Sequence, residues 1–366
     1  MSTEENRKRS PLDRRALLQA GLAAAFAAPA GVLGAQAFAP RAIGQAIDFS
    51  QFPICKASSD LPPLTGAPRK LKLSWNAGAV CLTVLPVAID YGFFQKRNLD
   101  VELINYSGST DQLLEAIATG KTDAGVGMAL RWLKPLEQGF DVKIGAGTHG
   151  GCMRVLTRTD GDVNALADLK GKVVAVGDLA GPEKNFFSIQ LAKRGIDPNK
   201  DVDWRAYPGN LLNVAVEKRE VQAFLASDPL AYLWLKDSAY KEVASNLDGE
   251  YRDKSCCIVG LRGSLVREEP QVARSATQAL LEAAMFISEN PQAAAKSYQP
   301  YAPKAATLAD LEGMVRYHTH HHHPVGEVLK RELRGYADDL KAISVFKAST
   351  DTAKFAERIY VDLFTV

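Results

Sequence analysis

Residues 105–128 read Asn-Tyr-Ser-Gly-Ser-Thr-Asp-Gln-Leu-Leu-Glu-Ala-Ile-Ala-Thr-Gly-Lys-Thr-Asp-Ala-Gly-Val-Gly-Met. That order fits little except a strand, a tight polar turn, a helix and a second strand. Val101 to Tyr106 is a strand-like run. Ser109 followed by Gln112 makes a capping box, Leu113, Leu114, Ile117 and Ala118 form one helical stripe, and Gly120 stops it. Asp123 to Met128, apolar and rich in glycine, reads as a buried strand. In a βαβ unit a ligand sits at the carboxyl ends of the strands, where the first helical N–H groups are unpaired and the helix dipole favours negative charge. Ser107, Ser109 and Thr110 add hydroxyls there. The same residues can simply cap a helix, and this turn alone does not decide between the two.

The first 46 residues stand apart as an export leader. Asp13-Arg14-Arg15-Ala16-Leu17-Leu18-Gln19 resembles the twin-arginine export motif, and an alanine-rich apolar stretch, Ala20 to Ala39, follows it. Ala35-Gln36-Ala37 is the expected cleavage site, with Ala46 the second choice. Retention as a membrane anchor is the alternative, though the stretch is marginal in length and broken by Pro29. A soluble, periplasmic protein is therefore expected. A net charge of +2 gives no reason to expect nucleic acid as a partner. The 5 cysteines are an odd number without the spacing of a disulfide framework, so at least one thiol should stay free.

Residues 47–69, with Pro53, Pro62, Pro63 and Pro68, form an extended lead-in. The rest is too long for one typical core and alternates strands with helices, predicting two α/β lobes. Leu71, Leu73 and Trp75 begin the first, and its strands run on to Val142–Ala146. A second series starts at Cys152 to Thr157 and includes a helix from Glu183 to Arg194 behind Pro182. Asn210 to Arg219 and then Glu220 to Ala226, ending at Ser227-Asp228-Pro229, repeat the helix-then-strand order of residues 110–128. From Pro270 onward the chain is mostly helical, while Ser255 to Leu261 reads as a strand returning to the first lobe. The predicted division is 70–151 with 256–366 as lobe 1 and 152–255 as lobe 2. Crossings near 148–155 and 253–260 would form a hinge around a ligand cleft.

Several phrases, in order, resemble the periplasmic binding proteins of importers for sulfonates, taurine and nitrate, relatives of the thiamine-pyrimidine synthase proteins. They are Ala88-Ile89-Asp90-Tyr91-Gly92-Phe93-Phe94-Gln95-Lys96-Arg97-Asn98-Leu99-Asp100-Val101, Gly120-Lys121-Thr122-Asp123-Ala124-Gly125-Val126, Leu166-Ala167-Asp168-Leu169-Lys170-Gly171-Lys172-Val173-Val174-Ala175-Val176, and Asp228-Pro229. The resemblance implies a type II periplasmic-binding fold: two α/β lobes joined by a two-strand hinge, with the helical C-terminal part packed on lobe 1. It also implies a monomer that delivers a small solute to an ABC permease in the inner membrane. The chain departs from the family at Ser227, where sulfonate binders carry an aromatic residue. It departs again at Gly177-Asp178-Leu179-Ala180-Gly181-Pro182-Glu183-Lys184, where Asp178 and Glu183 would repel a small anion. A cationic or neutral polar solute suits these residues better.

Trp75, Asn76, Ser109, Thr110 and Met128 are the expected ligand contacts from lobe 1, Lys184 and Asp228 from lobe 2, and His149 and Cys257 from the hinge. Cys256 and Cys257 lie near the position of the synthases' cysteine cluster. A related enzyme is thus a second reading, although no nucleophile–base motif, Walker loop or dinucleotide fingerprint is present. A periplasmic metal-binding protein is a third, because a soft metal would fit if Cys81, Cys152 and His149 converge with them, and His318-Thr319-His320-His321-His322-His323 lies inside the chain. His318, His320 and His322 are the candidate ligands of a transition metal; otherwise no cofactor is expected. Pro324 favours a loop over a helix for this run.

Overall fold

In the computed structural model, residues 61–106, 110–318 and 322–364 are described. The expected leader (1–46), Ser109 and His320 lie outside them, as does the side chain of Thr110. Among the described residues, no helix is long and apolar enough to cross a membrane.

Ten strands form two sheets of the same plan. β1 (Arg69–Trp75), β2 (Leu99–Asn105), β3 (Ala124–Met128), β4 (Val142–His149) and β10 (Cys257–Arg262) make the first, in the order β2-β1-β3-β10-β4. β5 (Met153–Arg158), β6 (Val173–Val176), β7 (Asp203–Ala206), β8 (Ala223–Ser227) and β9 (Tyr240–Ser245) make the second, in the order β7-β6-β8-β5-β9. In each sheet three strands are parallel through helical crossovers, while the returning strand, β10 or β5, runs antiparallel between its neighbours. The chain passes between the sheets at β4–β5 and β9–β10. This is the two-lobe, two-crossing arrangement that the alternation of elements predicts.

The strand–helix–strand unit at 105–128 is present. Helix Thr110–Ala118 buries Leu113, Leu114 and Ile117, and Gly120 adopts φ +78°, a conformation that glycine takes without a Cβ clash. β3 is buried along its whole length, and its glycines have a packing reason. A Cβ at Gly127 would lie 2.2 Å from Trp132 Cζ2, and the Trp132 ring is fully buried. Helix Pro182–Ala192 begins with its proline at the first position, as the sequence suggests. Helices Pro270–Glu289, Leu308–Tyr317, Gly326–Ala342 and Thr352–Ile359 make up most of the C-terminal part. Thr307 and Asp310 form a reciprocal capping box at the start of Leu308–Tyr317.

Candidate functional site

Several polar contacts join the lobes, among them Lys236 with Asp310 at 2.8 Å and Tyr251 with Asp339 at 2.8 Å, and three of them surround the hinge. Arg131, on helix Ala129–Glu137 of lobe 1, binds Asp111 through Nε at 2.6 Å and reaches Asp178 of lobe 2 at 3.0 Å. Asn185 Nδ2 of lobe 2 donates to the Leu130 carbonyl at 2.9 Å. His318 follows the C-terminal helix Leu308–Tyr317, and its Nε2 donates to Asp228 Oδ2 at 2.7 Å. Between these contacts Met128, Leu130, Met153, Phe186, Asn246 and Cys256 are among the residues lining a cavity at the hinge, which leaves space for little more than one water. The lobes are closed on one another.

Asp228 sits in a buried charge network. Arg154 clasps it through Nε and Nη2, both at 3.0 Å, and also binds Glu242; the Tyr317 ring covers the guanidinium at 4.8 Å. Burial pushes the Asp228 carboxyl up, but the hydrogen bond from His318 and the Arg154 charge outweigh it and hold the group at about 2. His318 Nδ1 lies 3.1 Å from His149 Nε2, and one proton serves that contact. Burial, then the neighbouring His318, drive the His149 pKa well below its ordinary value, so this ring is neutral.

The expected contacts divide accordingly. Met128 lines the cavity, and His149 and Asp228 meet through His318, but Asp228 is committed to Arg154 and His318 rather than free for a solute. Lys184 requires a correction: its ammonium lies over the Trp204 ring of edge strand β7, 5.5 Å from the centroid. Its neighbour Glu183 points inward instead, accepting from Ser227 Oγ at 2.5 Å, and burial raises its pKa despite that bond. Asp178 and Glu183 therefore do not present two bare charges; one is paired with Arg131 and the other is biased towards its neutral form. Asn76 Oδ1 accepts the Gly78 N–H at 2.9 Å and shapes its own turn, and Trp75 is buried edge-to-face against Tyr301 at 4.7 Å.

Of the histidine run, His318, His322 and His323 are among the described residues. His318 faces Asp228, while His322 binds Glu332 from the loop that follows. Cys257 is buried, as are Cys81, Cys152 and Cys256, and all four are free thiols. Even so, among the described residues no group of three or more His, Cys, Asp or Glu side chains is arranged to hold a metal ion.

Arg131 and Arg154, the two cations that organise the cleft, are absent from the residues expected from sequence. Arg154 carried a signal: it stands in the apolar strand Met153–Arg158, and a charge in a buried strand requires a buried counter-charge.

The NMT1/THI5-like family model matches residues 82–294. No curated protein matches the chain in sequence. Among solved structures, the periplasmic aliphatic sulphonate-binding protein SsuA from Escherichia coli is similar with a TM-score of 0.67 at 14% identity, over 81% of this chain and 93% of that one. The alkanesulfonate-binding protein SsuA from Xanthomonas axonopodis, bound to MOPS, gives 0.66 at 18%, over 81% and 100%. The periplasmic nitrate-binding protein NrtA from Synechocystis gives 0.65 at 16%, over 81% and 87%. These likenesses show the fold, that of the periplasmic binding proteins.

Proposed function

The chain belongs to the NMT1/THI5-like family, and we propose that it is the exported solute-binding component of an ABC importer. It clamps one small molecule between its lobes and passes it to a permease in the inner membrane. The observation that carries this reading is the set of cross-lobe contacts around one space: Arg131 with Asp178, Asn185 with Leu130, and Asp228 with His318. A cleft that closes on polar ties can hold a ligand and release it when they part. The twin-arginine leader would deliver the folded protein to the periplasm, where it acts as a monomeric binder rather than an enzyme.

The named relatives bind sulfonates and nitrate. In this cleft Phe186, Tyr251 and Tyr336 offer flat apolar surface, Asn246 offers its amide NH2 because its Oδ1 already accepts the Met153 N–H at 2.7 Å, and Asp178 and Asp228 are already paired. These features favour a neutral solute with a planar apolar part and a polar edge over a small anion. Thermal-shift measurements against planar amides, cationic amines, alkanesulfonates and nitrate test this. A planar neutral compound should raise Tm by mass action; stabilisation by the anions alone would overturn the solute class.

A further inference from the structure

Helix Leu308–Tyr317 belongs to lobe 1, where Leu311 and Met314 cluster with Ala295 and Tyr298 of helix Pro291–Tyr298, yet another side of it faces lobe 2. Lys236 Nζ donates to Asp310 Oδ1 at 2.8 Å, while Asp310 Oδ2 caps the helix by accepting the Thr307 N–H at 2.9 Å. Tyr232 and Leu233, from the short helix Leu230–Trp234 of lobe 2, pack against the Leu311 and Met314 cluster. The Tyr317 ring covers Arg154, and His318 donates to Asp228, whose Oδ1 accepts the Tyr232 N–H at 3.0 Å. Asp310, Gly313 and Tyr317 recur at three- and four-residue spacing, so one face of the helix meets lobe 2 from end to end.

One residue on that face suits lobe 2 and not its own helix. Glycine in a helix interior costs backbone entropy, so Gly313 weakens the helix that carries it. Beyond the neighbouring turns of that helix, a Cβ at Gly313 would meet Tyr232 alone among the described residues, the hydroxyl at 2.8 Å and Cζ at 3.6 Å. No other part of lobe 1 comes within 4 Å to call for a glycine there. We propose that helix Leu308–Tyr317 is a strap that latches lobe 1 onto lobe 2, and that Gly313 is the notch in which Tyr232 seats when the strap closes. Lys236 is held at one end and the Arg154–Asp228 pair at the other, so parting the lobes breaks these contacts together. No residue of the strap lines the hinge cavity, so it acts on closure and not on the identity of the solute.

Hydrogen exchange in the full chain without added solute tests this, a readout that stands apart from the import reading. Helix Leu230–Trp234 has only 5 residues, too few to hold itself, so protection of its amides reports the docked strap. Leucine is a better helix former than glycine, so a plain helix effect of Gly313→Leu would slow exchange. The notch predicts the reverse: amides of residues 230–236 should quicken about tenfold, with those of β1 and β6 unchanged. In a Tyr232→Ala background the same substitution should add less than about twofold, because the ring it strikes is gone. Lys236→Glu, at a half-exposed position that the fold tolerates, sets a second carboxylate beside Asp310 and should quicken the same amides about threefold. Unchanged exchange at 230–236 in either single variant, equal quickening in β1 and β6, or an undiminished effect of Gly313→Leu in the Tyr232→Ala background would each overturn the proposal.

Discussion

His318 Nε2 lies 2.7 Å from Asp228 Oδ2, so a ring that follows a C-terminal helix of lobe 1 hydrogen-bonds a carboxylate buried in lobe 2. Its other nitrogen meets His149 on β4, so the chain Arg154–Asp228–His318–His149 runs from one sheet to the other.

This chain contributes to the acid limit of stability. The Asp228 pKa is depressed in the fold, from 3.8 to about 2, so its contribution is complete above pH 3.8 and is lost as pH falls towards 2. The difference amounts to about 2 kcal/mol. The His149 pKa is also depressed, so its contribution is present above pH 6.5 and declines below it. Denaturant titrations between pH 8 and 2 should show both losses, and Asp228→Asn should shrink the lower one by about 2 kcal/mol. A mutant profile with an undiminished drop between pH 4 and 2 contradicts the assignment.

Glu183 has the opposite sign. Burial raises its carboxyl above 4.5, so the fold favours the proton and loses this contribution as pH rises from 4.5. Glu183→Gln keeps an oxygen for Ser227 Oγ and removes the buried charge. The variant should be more stable than wild type at pH 8 by about 1 kcal/mol, with the gain shrinking at pH 4. Equal gains at both values would mean that charge burial is not the cause.

Asp178 reaches across to Arg131 with 42% of its side chain exposed, so the tie is worth about 0.5 kcal/mol after solvent screening. Asp178→Asn should therefore tilt the open–closed balance about twofold without unfolding either lobe. Hydrogen exchange near the start of helix Pro182–Ala192 should quicken by that factor. No change there would show that the other cross-lobe ties hold the closure without Asp178.

Gly127→Ala puts a methyl group against the Trp132 ring, 2.2 Å from Cζ2 where contact distance is required. The ring is fully buried and has no free space to yield, so a loss of about 2 kcal/mol is expected. Tm would fall by about 5 °C; an unchanged Tm would mean that β3 shifts at no cost.

Much of the fold was legible because local chemistry and tertiary packing agree. The apolar stripe of Leu113, Leu114 and Ile117 marks a helix, and Pro182 marks where another begins. Edge strand β7 was not legible, because Asp203, Arg205 and Ala206 are exposed and Trp204 half-buried, with no alternation to read. Nor was β9, whose central Lys241–Ala244 are all partly buried. At the site, helical spacing could not say whether Glu183 or Lys184 turns inward, since adjacent residues differ by only about 100° around the axis. Cys81, Cys152 and Cys256 are far apart in sequence, and spacing could not say that all three are buried in the same core.

The most direct test of the central claim is calorimetric titration of the planar neutral solute found by thermal shift into wild type and into Phe186→Ala/Asn246→Ala. The account predicts that one molecule binds per chain and that the double variant, still folded, weakens binding at least 100-fold. Undiminished affinity in that variant would place the solute elsewhere and contradict binding between the lobes.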